Sequence, residues 1–229
     1  MSIAAIQHAA RMRDYRSLVL GMRPVAYWRL GETNGTTAMD EVGGIDGQHN
    51  GGPILGEPGP LNRSNGTSTR YLNSSSVFTL MDEPTCRLRA GWSFAAWYRR
   101  DGNYSGAQNI IEKDAGSNGG YRVYYSNQGL YFLTRPGGNL ELTTAGPVGN
   151  DDQWHLVVAT YDASRVPRIY FDGELKQADP AQSAVNPAPS SELPEVGESW
   201  DGWLDEVAIW HRALSDQEIQ DLYNAGIGA

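Results

Sequence analysis

Trp92-Ser93-Phe94-Ala95-Ala96-Trp97-Tyr98-Arg99 is the stretch on which the fold turns. A β-strand points successive side chains to opposite faces, and here nearly every side chain is apolar, so neither face has a polar alternative. The run predicts a strand buried on both faces, as in the inner strands of a two-sheet sandwich. A lone sheet cannot hide it.

Working downstream, aromatic and β-branched runs at residues 121–125 and 130–134 flank Ser126-Asn127-Gln128-Gly129, and residues 168–171 meet 174–177 across Asp172-Gly173. Both pairs predict hairpins, the second with a two-residue turn. Residues 154–161 and 203–210 add two more apolar strands. The period then changes. Ser215-Asp216-Gln217-Glu218 reads as a capping box, with Ile219, Leu222 and Tyr223 as the apolar stripe of a short helix that Gly226 ends. Upstream, Ile3, Ile6, Ala10, Tyr15, Leu18, Val19 and Met22 fall near helical spacing, so residues 3–20 predict one or two helices closed by Gly21 and Pro24. Gly- and Asn-rich residues 43–66 and 101–120, and Pro/Ala/Ser-rich residues 178–194, read as long surface loops. No internal repeat or second core is visible.

Composition agrees with an all-β reading: 27 Gly, 12 Pro, 12 Tyr and 7 Trp in 229 residues suit many short strands joined by turns. The formal charge of −9, with no run of Lys or Arg, argues against a nucleic-acid groove or an anionic membrane surface. Cys86 is the only cysteine, which excludes an internal disulfide. No apolar stretch is long enough for a membrane span, and the opening residues lack the basic and apolar regions of a signal peptide. The expectation is therefore a chain made in a cytoplasm.

The order Pro24-Val25-Ala26-Tyr27-Trp28-Arg29-Leu30-Gly31-Glu32, then Asp40 with Gly43, Gly44 and Gly47, then Trp92-Ser93-Phe94, Trp154-His155-Leu156-Val157, Tyr170-Phe171-Asp172-Gly173, Gly202-Trp203-Leu204-Asp205-Glu206-Val207 and Ala213-Leu214-Ser215, resembles the laminin-G-like, concanavalin A-like lectin jelly-roll family over residues 23–225. The resemblance implies a two-sheet antiparallel jelly roll at 23–229, non-catalytic, binding glycans or proteins and often carrying structural calcium. Residues 15–32 further resemble the lead-in of such domains in tailed-phage virion proteins. That implies a bacteriophage structural protein, as a capsid decoration or on the tail, assembled in the host cytoplasm and displayed on the virion surface. Residues 1–22 then form an N-terminal helical arm. Its mixture of apolar residues and arginines suits docking onto other virion proteins in a homo-oligomer, the alternative being a helix that closes its own sandwich. A free-standing bacterial lectin and a glycan hydrolase are the rival functions.

For calcium, Asp40 and Asp205 are the first ligand candidates, with Asp46 and Glu206 behind them, because a hard dication needs several oxygens and Gly-rich loops supply them. By the resemblance, the two aspartates meet at one edge of the sandwich. The competing reading has Asp40 capping its turn and Asp205 pairing with an arginine. For glycans, Tyr104, Trp200 and Trp203 are the stacking candidates, set against the commoner role of tryptophan as core. A hydrolase needs a close carboxylate pair, and the clusters Asp205-Glu206 and Glu218 with Asp221 have the wrong spacing for one. His155 and His211 lie in or beside strands, where hydrogen-bonded structural roles are expected.

Overall fold

The computed structural model describes residues 14–61, 66–72, 76–80, 85–101, 106–113, 120–127, 129–134, 140–143, 148–149, 151–180 and 193–228. In chain order the strands are β1 (Ala26–Trp28), β2 (Thr37–Ala38), β3 (Gly47–Asn50), β4 (Ile54–Pro58), β5 (Thr67–Leu72), β6 (Val77–Leu80), β7 (Trp92–Arg100), β8 (Gln108–Lys113), β9 (Tyr121–Ser126), β10 (Gly129–Thr134), β11 (Leu140–Thr143), β12 (His155–Tyr161), β13 (Pro167–Phe171), β14 (Glu174–Ala178), β15 (Glu195–Val196) and β16 (Asp201–Trp210). Among the described residues two helices, α1 (Tyr15–Gly21) and α2 (Asp216–Ile227), flank them.

Every strand pairing is antiparallel, and the strands form two sheets of eight. The first runs β14-β13-β12-β7-β16-β5-β4, with β1 beside the far half of β16; the second runs β11-β10-β9-β8-β15-β6-β3-β2. The predicted all-β sandwich is therefore the fold. Its main core lies between the sheets, built from Trp28, Trp92, Phe94, Tyr98, Phe78, Val123, Phe132 and Trp200 among others.

The stretch that decides the fold is buried on both faces, for a reason periodicity does not specify. Trp92, Phe94, Ala96 and Tyr98 face the second sheet, while Ala95 and Trp97 face a second apolar cluster roofed by the two helices. There Tyr15, Val19 and Met22, from α1 and the turn after it, and Ile219 and Leu222 of α2 pack over Tyr27, Trp97, Leu156, Val158 and Trp210. Trp97 meets Tyr15 edge-on at 6.3 Å and stacks with Tyr223 at 6.1 Å. Residues 15–22 thus close their own sandwich, the alternative to docking weighed above; residues 1–13 of the proposed arm lie outside the described residues.

The Asp172-Gly173 hairpin is as predicted, with φ of 50° and 81° at the two positions that a type I′ turn needs. The Ser215 and Glu218 capping box also forms. Gly226, however, does not end α2. It sits inside the helix because a Cβ there would collide with the Trp97 indole, and the left-handed cap falls at Gly228. The loops expected at 43–66 and 101–120 contain β3, β4 and β8: short strands such as Gly47-Gln48-His49-Asn50 carry little apolar periodicity and are held by their neighbours. Most of the third loop, 181–192, lies outside the described residues.

Candidate functional site

The helices pack over the outer face of the first sheet around Trp97 and Trp210; on the outer face of the second sheet Gln48, Thr79, Glu112, Arg122, Tyr131 and Glu195 are half-exposed, while Asn109, Tyr124 and Leu133 are buried. Cross-strand partners place Thr37, Gln48, Thr79, Glu195, Glu112, Arg122 and Leu133 in one transverse row on that face. The next row carries Asn109, Tyr124 and Tyr131. Asn109 and Glu112 are three apart, so in a regular strand they would face opposite ways. A register shift between Asn109 and Ile111 inserts one residue and turns both outward.

This bulge assembles a polar cluster. The Asn109 side-chain amide donates from Nδ2 to Glu112 Oε2 at 2.9 Å and to Glu198 Oε2 at 2.6 Å. Its backbone N–H donates to the Glu198 carbonyl at 3.0 Å, which fixes the 197–200 turn against β8. Arg122 pairs with Glu112 at 3.0 Å and lies over the Tyr124 ring, which stacks on Tyr131 with centroids 4.9 Å apart. Ser199 Oγ donates to Glu198 Oε1. Asn109 is only 4 % exposed, and its Oδ1 is buried without a hydrogen-bond partner. Because Nδ2 stands between two carboxylates, the amide cannot be flipped to relieve this. The cluster therefore combines two carboxylates held by a buried amide, a guanidinium and an aromatic stack. Such a set suits a hydroxyl- and amine-bearing ligand with an apolar ring face.

The sequence candidates fall elsewhere. Asp40 is buried in its turn, where Oδ1 accepts from the N–H of Tyr27 and Val42 and Oδ2 from those of Gly44 and Ile45, at 2.8–3.0 Å. Four N–H dipoles point their positive ends at the carboxylate, so it organises the turn and is not presented to a cation. Asp46 accepts from the Asp40 N–H. Asp205, 1 % exposed, accepts from the Glu206 N–H, and burial, reinforced by the neighbouring Glu206, pushes its carboxyl well above the usual range. Among the described residues no group of three or more His, Cys, Asp or Glu side chains is placed to hold a metal ion. These residues do not fit the calcium shell that the resemblance implied.

Glu206, not Asp205, takes the arginine. It sits at φ 53° in the bulge of β16 where β5 ends and β1 begins, bonded by Tyr27 Oη and paired with Arg29 at 3.2 Å. Burial outweighs these partners and its carboxyl is pushed up to about 7.

Trp200 is fully buried, edge-on to Tyr98 at 5.5 Å between the sheets, so it offers no ring face to a ligand. Trp203 is half-buried on the outer face of the first sheet, flanked by Arg70 at 4.7 Å and Arg99 at 4.4 Å. These guanidiniums come from the strands on either side, β5 and β7, and lie against the indole. Tyr104 lies outside the described residues. His155 is held by Asp172 at 2.8 Å and Asp151 at 2.9 Å, and His211 by the Thr85 carbonyl at 2.8 Å.

The outer-face cluster was missed because β8 falls where glycine and asparagine suggested loop, and no sequence signal marks the bulge. The tyrosine run at 121–125 was the available hint.

A family model of laminin-G type, described as the concanavalin A-like lectin/glucanases superfamily, matches residues 72–220. No curated protein matches the chain. Among solved structures, the ligand-binding domain of botulinum neurotoxin serotype D in complex with N-acetylneuraminic acid is 16 % identical, with a TM-score of 0.66 over 88 % of this chain and 50 % of that one. The binding domain of Paraclostridial Mosquitocidal Protein 1 is 13 % identical, with a TM-score of 0.67 over 87 % and 52 %. A structure concerning entry of botulinum neurotoxin type C through two ganglioside molecules is 13 % identical, with a TM-score of 0.67 over 89 % and 51 %. The chain spans about half the length of these structures, and at such identity the likeness concerns the fold.

Proposed function

Since the chain belongs to the concanavalin A-like lectin/glucanases superfamily, we propose that it is a non-catalytic glycan-binding module whose ligand face is the outer side of the second sheet. The observation that carries this reading is the half-exposed polar cluster of Glu112, Glu198 and Arg122, held together by the buried Asn109 amide, beside Tyr131 of the Tyr124 stack. The carboxylates and the guanidinium offer hydrogen bonds to sugar hydroxyls, and a pyranose face covers the exposed part of the Tyr131 ring. The neurotoxin structures named above, one in complex with N-acetylneuraminic acid and one concerning cell entry dependent on two ganglioside molecules, share the fold, which supports the class of ligand without giving its identity.

Binding is favoured over hydrolysis by where the carboxyls lie. Asp205 and Glu206, whose carboxyls burial pushes upward, are closed off beneath Tyr27 and the α1 roof. On the outer face of the second sheet Glu112 is ion-paired with Arg122 and serves as an acceptor. A glycan microarray with the intact chain and the Tyr131→Ala and Asn109→Ala variants tests the reading. Specific retention lost in both variants supports it; retention unchanged in both overturns it.

The finer reading is display on a phage virion, where the module reinforces the particle or contacts cell-surface glycans. Its support is the resemblance of residues 15–32 to the lead-in of such domains in virion proteins. Co-sedimentation of the intact chain with candidate particles, compared with a chain lacking residues 1–13, tests it: binding that needs those residues supports docking through the arm.

A further inference from the structure

The geometry points to a second site, apart from the glycan face: a cleft that takes a small organic monocarboxylate, held by the Arg23 guanidinium. The cleft, of about 440 Å³, lies between the turn after α1 (Gly21, Met22, Arg23 and Val25), the residues that follow β16 (His211 and Arg212) and Glu218 in the first turn of α2. It shares no residue with the outer-face cluster of the second sheet. Arg212 builds one wall: its fork donates to both Glu218 oxygens at 2.8 and 2.6 Å, and Nη2 also donates to the Met22 carbonyl at 3.2 Å. The Glu218 charge is thus spent within the wall, where Ser215 N–H and Oγ donate to it as well. The carbonyls that end α1, which would repel an anion, are also occupied: Leu18 and Val19 accept from the Met22 N–H, and Leu20 from the Arg23 N–H.

Arg23 is the cation left over. Acidic residues outnumber basic ones 27 to 18, and Arg16, Arg29, Arg70, Arg99, Arg168 and Arg212 each hold a carboxylate. The exposed Arg23 guanidinium holds none among the described residues. Its backbone is costly too. Closing α1 calls for a left-handed residue just past the cap, where glycine is the usual choice, yet an arginine stands there at φ 56°, directly before Pro24, which favours an extended neighbour. Strain kept at a residue whose side chain lines a cleft points to a use for that side chain. A guanidinium grips a carboxylate through two parallel N–H···O bonds, so one unpaired fork matches one carboxylate. Met22 and Val25 line the cleft beside it and suit a short apolar body. His211 adds no second cation that would favour a dianion: burial, with the charge of Arg89, holds its imidazole below the usual range, and Nε2 donates to the Thr85 carbonyl at 2.8 Å.

The test is a 15N NMR titration of the intact chain with three probes, 4-methylvalerate, the matching neutral amide and inorganic phosphate, repeated on Arg23→Gly and Arg23→Asn, whose new side chains tolerate the left-handed backbone. The acid is expected to shift the backbone amides of Met22, Arg23, Val25, His211 and Arg212 saturably, and the neutral amide is expected not to. Both variants should bind the acid more weakly by about tenfold or more, while Arg23→Gly melts at or above the temperature of the parent because its strain is relieved. Arg23→Lys, which keeps the charge without the fork, is expected to fall between. Binding of the acid unchanged in both variants, or a neutral amide bound as tightly as the acid, overturns the role of Arg23. Phosphate bound more tightly than the acid overturns the ligand class, and no saturable shift with any of the three probes overturns the site.

Discussion

Asn109 and Glu112 lie on the same face of the second sheet although three residues separate them, because the bulge between Asn109 and Ile111 adds the residue that brings their side chains into register. Removing the amide leaves two carboxylates near each other without their shared donor. Asn109→Ala is expected to lower stability by about 1.5–3 kcal/mol, the range for hydrogen bonds to charged groups, measured by urea unfolding. Glycan retention falls with it. Tyr131→Ala is expected to lower retention with a much smaller change in the unfolding midpoint, which separates loss of contact from loss of fold.

Gly226 in α2 is expected to resist substitution despite its poor helix propensity. Alanine gains about 1 kcal/mol in a helix, but its Cβ meets the Trp97 indole, and overpacking of this kind costs about 1–3 kcal/mol. Gly226→Ala should therefore unfold at lower denaturant than the parent. A stabilised variant would show that α2 does not press on Trp97 as described.

Chelation should leave the molecule unchanged. Asp40 spends both carboxylate oxygens on four backbone N–H groups, so EDTA is expected not to shift the melting temperature. Asp40→Asn, which turns one acceptor into a donor facing two N–H groups, should cost about 2–4 kcal/mol. A fall in melting temperature on chelation that calcium alone restores would reinstate the metal.

Stability should be greatest on the acid side of neutrality. Burial raises Glu206 to about 7 and Asp205 well above its usual value, so the folded state holds protons that the unfolded chain has released. Stability then falls as pH rises from about 4.5 to about 7. His155 has the same sign. Burial pulls it down, but Asp172 and Asp151 outweigh that and raise it, so its stabilisation is complete below about 6.5 and is lost as pH rises through the folded value. Glu218 is opposite: Arg212 holds it down to about 2, and its contribution is lost as pH falls from about 4.5 towards 2. Melting temperature against pH should peak near about pH 5, and Glu206→Gln should flatten the decline between 5 and 7.

Truncation tests the described part of the N-terminal segment. Deleting residues 1–22 uncovers Trp97, Trp210 and Leu156 and should lower the melting temperature by several degrees or abolish folding. A protein indifferent to this deletion would show that α1 is no part of the second core.

Much of this architecture was legible in the residues. The almost wholly apolar Trp92 to Tyr98 run required two covered faces, Asp172-Gly173 required a tight hairpin, and Ser215 with Glu218 required a helix start, since each follows from local stereochemistry. The site was not legible for the opposite reason. A bulge is set by the neighbouring strands, so the period-two rule assigns Asn109 and Glu112 to opposite faces. Trp200 and Trp203 looked like ligand platforms by composition, yet their roles depend on Tyr98, Arg70 and Arg99, which only the sheet register brings near. Asp40 was legible as a turn former, and its four N–H partners favour that half of the original reading.

The central claim is that glycans bind the outer face of the second sheet, and the most direct measurement is a two-dimensional 15N NMR titration of the intact chain with the oligosaccharide that binds best. The account predicts that the Asn109 side-chain amide pair and the backbone amides of residues 109–112, 122–124, 131 and 198 shift together and saturably, while those around Asp40, Trp203 and Asp205 stay still. Shifts confined to the Asp40 turn, to the Trp203 ledge or to the loops beyond this face would contradict it.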